Sequence, residues 1–179
     1  MKIRLGHISN SSSSSFVIAL PHKPKDVEDL RKMLFGKQEW FYTGYSYGDE
    51  DTDVSTQKLA ESVFKKIKKK ATVKDMMESI CHGWFDEWCG LPGHYSMDDD
   101  INFDRIEYTD PRRSEKLEKQ WAYEEKVNKQ RAKAIVDMFR KIHSDKYIVT
   151  MWFSDNDGET VEEHAGIFER VEHIRTSYH

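Results

Sequence analysis

The amino-acid sequence predicts an α+β fold: a small mixed or antiparallel sheet that joins the two ends of the chain, with about four helices packed on it. Short apolar runs typical of strands lie near both ends, at residues 2–20, 147–153 and 171–176. Between them, apolar side chains recur every three or four positions, which is typical of amphipathic helices. The chain of 179 residues has the length of one domain, so we assign residues 1–179 to a single domain.

The composition is that of a polar globular protein. Hydrophobic residues make up 37% of the chain and charged residues 34%, but the aromatic content of 12% argues against disorder. There are two cysteines, and no apolar stretch approaches the ~20 residues that a membrane helix requires. We therefore expect a cytoplasmic protein with no disulfide framework and no membrane contact.

The amino-terminal strand pattern is interrupted by serines. Residues 2–9 alternate weakly between apolar and polar side chains, residues 16–20 are apolar, and residues 11–15 are consecutive serines. The pattern fits either one bulged strand or two strands joined by a serine loop.

Three amphipathic helices are predicted to follow. The first covers residues 24–35 and the second covers about residues 54–70. Thr72 begins the third, with Asp75 three positions later as its partner in a capping box, and the apolar stripe of this helix reaches Trp84.

A long charged helix comes next. Asp110 and Pro111 are typical of a helix start, and neither glycine nor proline recurs before Gly158. One helix over residues 111–143 would be about 50 Å long, which exceeds the width of a compact domain of this size. Since its first half has few apolar side chains among many charges, we expect that half to project, to kink or to contact a partner chain.

The carboxyl-terminal residues return to strand patterns. Residues 147–153 form the clearest strand of the chain, and Asp157 with Gly158 predicts a turn after it. Residues 159–168 fit a short helix, and residues 171–176 fit a last strand.

Basic residues are concentrated in two segments. Residues 65–70 contain five lysines, and residues 112–141 contain ten basic and five acidic side chains. In residues 86–110 the charged side chains are mainly acidic. Lysine contacts with phosphates would support salt-sensitive nucleic-acid binding. The net charge of −4 and the absence of a recognised nucleic-acid motif favour instead a solvated helix face.

Aromatic side chains form a candidate binding surface. Tryptophans and a tyrosine flank a glycine- and proline-containing loop at residues 90–93, and the long helix adds another tryptophan. Aromatic residues often carry much of the binding energy at an interface, but the same side chains could cover a small core, and both interpretations stay open. The candidates are Trp84, Trp88, Tyr95 and Trp121.

Serine, acidic and histidine side chains suggest an enzyme as the alternative. Hydroxyls and amides of consecutive serines could bind a phosphate. The Gly-Lys-Ser/Thr ending of a P-loop is missing, and a solvated polar loop explains the tract more simply. Acid–base catalysis would require the acid and imidazole groups to converge on one cleft. The phosphate-binding candidates are Ser11, Ser12 and Ser13, and the catalytic candidates are His7, Glu163 and His164.

Two cysteines and two histidines lie close together and must be considered as zinc ligands. Their spacing lacks the close cysteine pair usual in zinc sites, and a cysteine beside the apolar stripe of a helix is typical of core packing. We therefore expect no metal, with a zinc site as the alternative. The four residues concerned are Cys81, His82, Cys89 and His94.

The first residues of the chain resemble a known group of proteins. Residues 6–16 read Gly-His-Ile-Ser-Asn-Ser-Ser-Ser-Ser-Ser-Phe, similar to the Gly-x-x-Ser-Asn-Ser-Ser-Ser-Ser-Ser-Phe opening of small uncharacterised proteins of tailed bacteriophages and some bacteria. Residues 153–158, followed by Glu163 and His164, look similar to the carboxyl-terminal part of the same group. The resemblance implies a phage origin and a sheet where the two ends meet, and it carries over no catalytic residue.

Protein binding is the function that the sequence favours. We expect a bacteriophage accessory protein that binds a host or viral protein through the long helix and the aromatic loop, in the host cytoplasm and without a cofactor. The long helix could also mediate homo-oligomerisation. The alternatives are an enzyme acting on a nucleotide or another phosphate-containing substrate, and a nucleic-acid-binding protein.

Overall fold

The computed structural model has the α+β fold that the sequence predicts. Within the described residues it contains four helices, one four-stranded sheet and one two-stranded sheet. None of these helices combines the length and the apolar character needed to cross a membrane. The described residues are 13–42, 53–80, 84–88, 106–107, 109–154, 161–162 and 166–178, with the backbone alone described at 84–88, 124 and 177–178. In chain order the elements are β1 (Ser13–Leu20), α1 (Val27–Phe35), β2 (Trp40–Tyr42), β3 (Asp53–Ser55), α2 (Thr56–Lys66), α3 (Val73–Ile80), β4 (Trp84–Trp88), α4 (Arg113–Ile142), β5 (Tyr147–Ser154) and β6 (Glu172–Tyr178).

The four-stranded sheet joins the two ends of the chain. Its strand order is β4-β6-β1-β5 and every neighbouring pair is antiparallel, so the first and last described strands lie side by side. Phe16 of β1 lies opposite Met151 of β5 on one side and Arg175 of β6 on the other. The strands predicted at residues 147–153 and 171–176 are therefore confirmed, with small shifts at their ends.

The serine tract enters the sheet as part of a strand. β1 begins at Ser13, and both Ser14 and Ser15 are buried, so a serine loop is excluded for these three residues. The Arg175 guanidinium donates to the Ser14 hydroxyl, with 3.3 Å between Nη2 and Oγ. Residues 2–9, predicted as a strand, lie outside the described residues.

β1 is buried on both faces, which explains its unbroken apolar run. Phe16, Ile18 and Leu20 pack in one core cluster with side chains of α1 and α2. Val17 and Ala19 pack in a second cluster with α3 and the carboxyl-terminal half of α4. The sheet is therefore the middle layer between two pairs of helices.

α1 begins and ends with residues suited to those positions. The Asp26 side chain caps the helix by accepting a hydrogen bond from the Asp29 N–H at 2.8 Å. Gly36 follows the last turn with a φ of 63°, a left-handed conformation that glycine adopts without strain, and its N–H donates to the Lys32 carbonyl.

α2 is shorter than predicted because the residues before it belong to a strand. Residues 53–55 pair with residues 40–42 as β3 and β2, so the helix begins only at Thr56. Its last residue is Lys66, and the residues up to 70 leave the helical conformation. Pairing with residues 40–42 has overridden the local helical periodicity at the amino-terminal end of this prediction.

The capping box at the start of α3 is confirmed. The Thr72 N–H donates to the Asp75 carboxylate at 2.7 Å, and the Asp75 N–H donates to the Thr72 hydroxyl at 3.2 Å. The bond from the Thr72 N–H, followed by that from its hydroxyl, holds the pKa of Asp75 below its usual value. The prediction that Trp84 belongs to this helix is wrong: α3 ends at Ile80, and Trp84 pairs with Ser177 because β4 extends the sheet beyond β6.

α4 is one continuous helix of 30 residues, about 45 Å long. It begins at Arg113 rather than Pro111, and Asp110 accepts a hydrogen bond from the Arg112 N–H at 2.7 Å just before the first turn. Among its described side chains, none before Ala132 is buried. The helix is therefore unbroken, and only its second half enters the core.

The segment before β6 does not continue as a helix. Val161 and Glu162 are helical, but Ile167 and Phe168 lie in a turn, which limits the helix predicted over residues 159–168. The ring of Phe168 lies 4.9 Å from that of Phe16 between centroids, so this turn closes one face of the sheet.

Acid should destabilise the fold through His143, which is 6% exposed and packs its ring 4.5 Å from that of Phe139. Its Nε2 atom has no hydrogen-bond partner among the described residues. Burial lowers the pKa of the imidazole, against the opposing influence of Glu172. The unfolded chain therefore binds a proton at His143 more tightly than the folded protein does. The free energy of unfolding should reach its full value above about pH 6.5 and fall as the pH drops below that value.

His143→Leu should remove this part of the pH dependence. The measurement is urea denaturation of both proteins on either side of about pH 6.5. An equal loss of stability in the variant and the unmodified protein would assign the acid sensitivity to other groups.

Candidate functional site

A lysine-lined groove lies along the outer edge of the four-stranded sheet. The end of α2 and the residues after it run beside β5, the strand at that edge. Its volume is about 460 Å³. We call this feature the lysine groove; its lining includes Lys65, Lys66, Lys68, Lys69, Asp75 and residues 150–152.

Two long-range hydrogen bonds hold the groove in place. The Ala71 N–H donates to the Ile148 carbonyl at 2.8 Å. The Lys66 ammonium donates to the Trp152 carbonyl at 2.7 Å and lies 4.7 Å from the centroid of the Phe153 ring. The segment between α2 and α3 is thereby attached to β5 at two points.

The backbone between these points faces the groove. In an antiparallel pair, the carbonyl and N–H of every second residue point away from the partner strand. The carbonyls of Ile148 and Trp152 point away from β1, because they accept hydrogen bonds from Ala71 and Lys66. The pairing of β5 with β1 has no bulge, so the alternation is unbroken. The N–H and the carbonyl of Thr150 therefore also point away from β1. Thr150 therefore presents a donor and an acceptor at the sheet edge, beside the indole of Trp152, which is 45% exposed.

The charge of the groove is positive in a protein whose net charge is −4. Lys65 and Lys68 are exposed, and neither forms an ion pair with a carboxylate among the described residues. Lys69 lies 3.6 Å from the Asp75 carboxylate, which also accepts the capping-box bonds of Thr72. The positive charges of Lys65 and Lys68 are therefore not neutralised by any carboxylate of the described residues.

The amino-terminal half of α4 forms a second exposed surface, which we call the α4 surface (residues 113–131). Trp121 is 59% exposed and Tyr123 is 54% exposed on it. Ion pairs one turn apart, such as Lys119 with Glu115, support the helical conformation where the core does not. The hydrogen bond from Lys119 lowers the pKa of Glu115. A large aromatic side chain thus lies exposed among charged residues of the helix.

Only some of the residues predicted for a site are described. Trp84 and Trp88 are the first and last residues of β4, and Trp121 lies on the α4 surface. Ser13 is the first residue of β1 and pairs with Ser154. The remaining candidates lie outside the described residues: His7, Ser11, Ser12, Cys81, His82, Cys89, Tyr95, His94, Glu163 and His164. Across the described ranges, no three His, Cys, Asp or Glu side chains are grouped to hold a metal ion.

The structure adds one feature that the sequence reading missed. The sequence identifies the lysine run as a basic segment. It does not reveal that this segment lies against the edge of β5. Lys66 and Trp152 are 86 positions apart, so no local pattern could reveal their contact. The one available signal was the strength of the strand prediction over residues 147–153.

The comparisons with known proteins add no relative. No protein-family profile, curated protein or solved structure matches the chain.

Proposed function

We propose that this protein acts by binding another protein, and that the α4 surface is the contact. The observation that supports the proposal is the exposure of Trp121, at 59%, on a half-helix in which no described side chain is buried. Tryptophan is enriched among the residues that contribute most to protein–protein binding.

The surroundings of Trp121 suit an interface. An aromatic side chain of this size buries about 150–250 Å² when it is fully covered, which provides a large favourable contribution at the centre of a contact. The charged residues around it would form the polar rim that usually encloses such a centre. Since α4 is continuous and anchored by its second half, the surface is already in its helical conformation before binding.

The partner that we propose is a protein of the infected host cell or of the virus. The resemblance of the chain ends to small phage proteins supports this choice. Pairing of two α4 helices in a homo-oligomer is the alternative that uses the same surface, and the experiment below distinguishes the two.

Trp121→Ala should weaken the complex by about 2 kcal/mol, or roughly thirtyfold, because it removes the central aromatic contact. The test is cross-linking in host cells followed by mass spectrometry and measurement of the affinity for the protein recovered. Trp40→Ala is the matched control, since Trp40 is 61% exposed but lies on β2.

Equal recovery of the same partner by the unmodified protein and the Trp121→Ala variant would contradict the proposal. Sedimentation of the purified protein identifies the second interpretation. If it forms oligomers that Trp121→Ala dissociates, the partner of the α4 surface is a second copy of this chain.

A further inference from the structure

We propose that the lysine groove binds an extended acidic peptide segment of another protein, which adds as a short strand to the edge of β5. This site uses residues of α2, β5 and the segment between α2 and α3, and none of the α4 surface. It therefore stands or fails independently of the function proposed above.

The hydrogen-bonding pattern of the edge suits an added strand. The N–H and carbonyl of Thr150 point away from β1 into the groove, as the outward carbonyls on either side of it establish. A peptide in the extended conformation offers donors and acceptors with the matching period, and strand addition to an exposed edge is a recurrent mode of peptide recognition.

The charge of the groove suits an acidic peptide. Lys65 and Lys68 are exposed without carboxylate partners in the described part of the chain, and Lys69 lies near Asp75 alone among carboxylates at 3.6 Å. Acidic side chains of the peptide would find several ammonium groups within the groove. Complementary charge of this kind increases the association rate and selects among partners.

The position of α2 suggests which peptide residues should be acidic. Met151 and Phe153 of β5 point to the face of the sheet that packs against α1 and α2, whereas Ile148 points to the other face. α2 packs on the first of these faces, and the ammonium of its last residue, Lys66, lies 4.7 Å from the centroid of the Phe153 ring. Because side chains alternate between faces along a strand, every second residue of the peptide should be acidic.

The extent of pairing is limited by Ala71. Its N–H already bonds to the Ile148 carbonyl, so an added strand can pair only from Thr150 toward the end of β5. At Trp152 the peptide N–H would take the place of the Lys66 ammonium on the carbonyl. The groove thus suits a short segment of a few residues.

A peptide fits these observations better than a nucleic acid does. Phosphates would satisfy the lysines, but they offer no alternating donors and acceptors to the backbone of Thr150. The experiment below distinguishes an acidic peptide from a nucleic acid as the ligand.

The test uses a short fluorescein-labelled peptide of alternating glutamate and valine, titrated by anisotropy with the full-length protein. In one matched peptide the glutamates carry N-methyl groups, and in the other the valines do. Because the N–H groups of alternate residues point to opposite edges of an extended strand, each peptide lacks the N–H donors of one edge. We expect one of them to lose at least about tenfold in affinity, while the other retains it, because only one edge faces β5.

Charge reversal tests the lysines. Lys65→Glu combined with Lys68→Glu should lower the affinity by about tenfold or more. The control combines Lys37→Glu with Lys58→Glu, which changes the net charge equally at exposed lysines outside the groove, and it should change the affinity less than about twofold.

Several results would overturn the proposal. They are no saturable binding of the peptide, equal binding by both N-methylated peptides, and equal weakening by the two charge-reversal pairs. If a single-stranded oligonucleotide binds and the acidic peptide does not displace it, the groove is a nucleic-acid site and the proposal is wrong.

Discussion

Phe139→Ala is expected to lower the free energy of unfolding by about 3–5 kcal/mol, the range for removing a fully buried phenylalanine. Phe139 is 0% exposed and belongs to the core cluster that includes Met76 of α3, Val17 of β1 and Ile174 of β6. Its removal leaves a cavity where α4 meets both the sheet and α3. The loss includes the transfer free energy of the ring and the cost of that cavity, since close-packed surroundings relax only in part.

The comparison with Trp121→Ala makes this prediction specific. Trp121 lies on the same helix but is 59% exposed, so its truncation should change stability by less than about 0.5 kcal/mol. Urea denaturation of the two variants measures both values. If Trp121→Ala costs as much as Phe139→Ala, the first half of α4 contributes to the folded core and the α4 surface is not free for a partner.

Thr176→Pro is expected to destabilise the protein by about 3 kcal/mol or more, a large fraction of the roughly 5–15 kcal/mol by which an ordinary domain is stable. β6 lies between β4 and β1, so it has no open edge along its paired length. The backbone of Ser15 points away from β5 and toward its partner Thr176, which therefore donates its N–H within the ladder. Proline removes that donor, and the substitution also removes the hydroxyl that donates to the Ser79 carbonyl at 2.8 Å.

Thr150→Pro is the matched control, with the same change of residue type in β5. The N–H of Thr150 points away from β1, and proline is tolerated where the N–H of an edge strand faces outward. This variant should keep a thermal unfolding midpoint close to that of the unmodified protein, measured by circular dichroism, while Thr176→Pro should unfold at a much lower temperature. If the midpoint of Thr150→Pro falls equally, the assignment of β5 to the edge of the sheet is wrong. If it folds, it also lacks the donor required for strand addition and should bind the acidic peptide more weakly.

The sequence predicted the ends of the fold well because the residues involved carry strong local signals. The apolar run of β1 and the strand at residues 147–153 are rich in residues that favour buried strands. Thr72 and Asp75 form their capping box within one turn of helix, so their spacing alone was sufficient to predict it.

The predictions that were wrong concern residues whose conformation depends on distant partners. Trp84 continues the apolar period of α3, but it is extended because β4 pairs with β6. The first residues predicted for α2 are in β3 for the same reason, since they pair with residues 40–42. In both segments, hydrogen bonds to another strand outweigh a modest helical preference.

The candidate site shows the same division. The lysine run and the tryptophan of the long helix are evident in the sequence, because charge and aromatic character are properties of the residues themselves. The exposure of Trp121 is known only from the structure. That β5 is an edge strand, and that Lys66 reaches its backbone, depends on the strand order β4-β6-β1-β5.

The sequence by itself determined the α+β class, the capping of α3, the charged character of α4 and the apolar strands near the two chain ends. The tertiary structure decided which strand lies at the edge, where β3 and β4 replace helix, and which lysines share a groove with Thr150. The physical reason is the range of the interactions. Periodicity and capping act within one or two turns, whereas sheet order is selected by burial and hydrogen bonds between residues that are far apart in the chain.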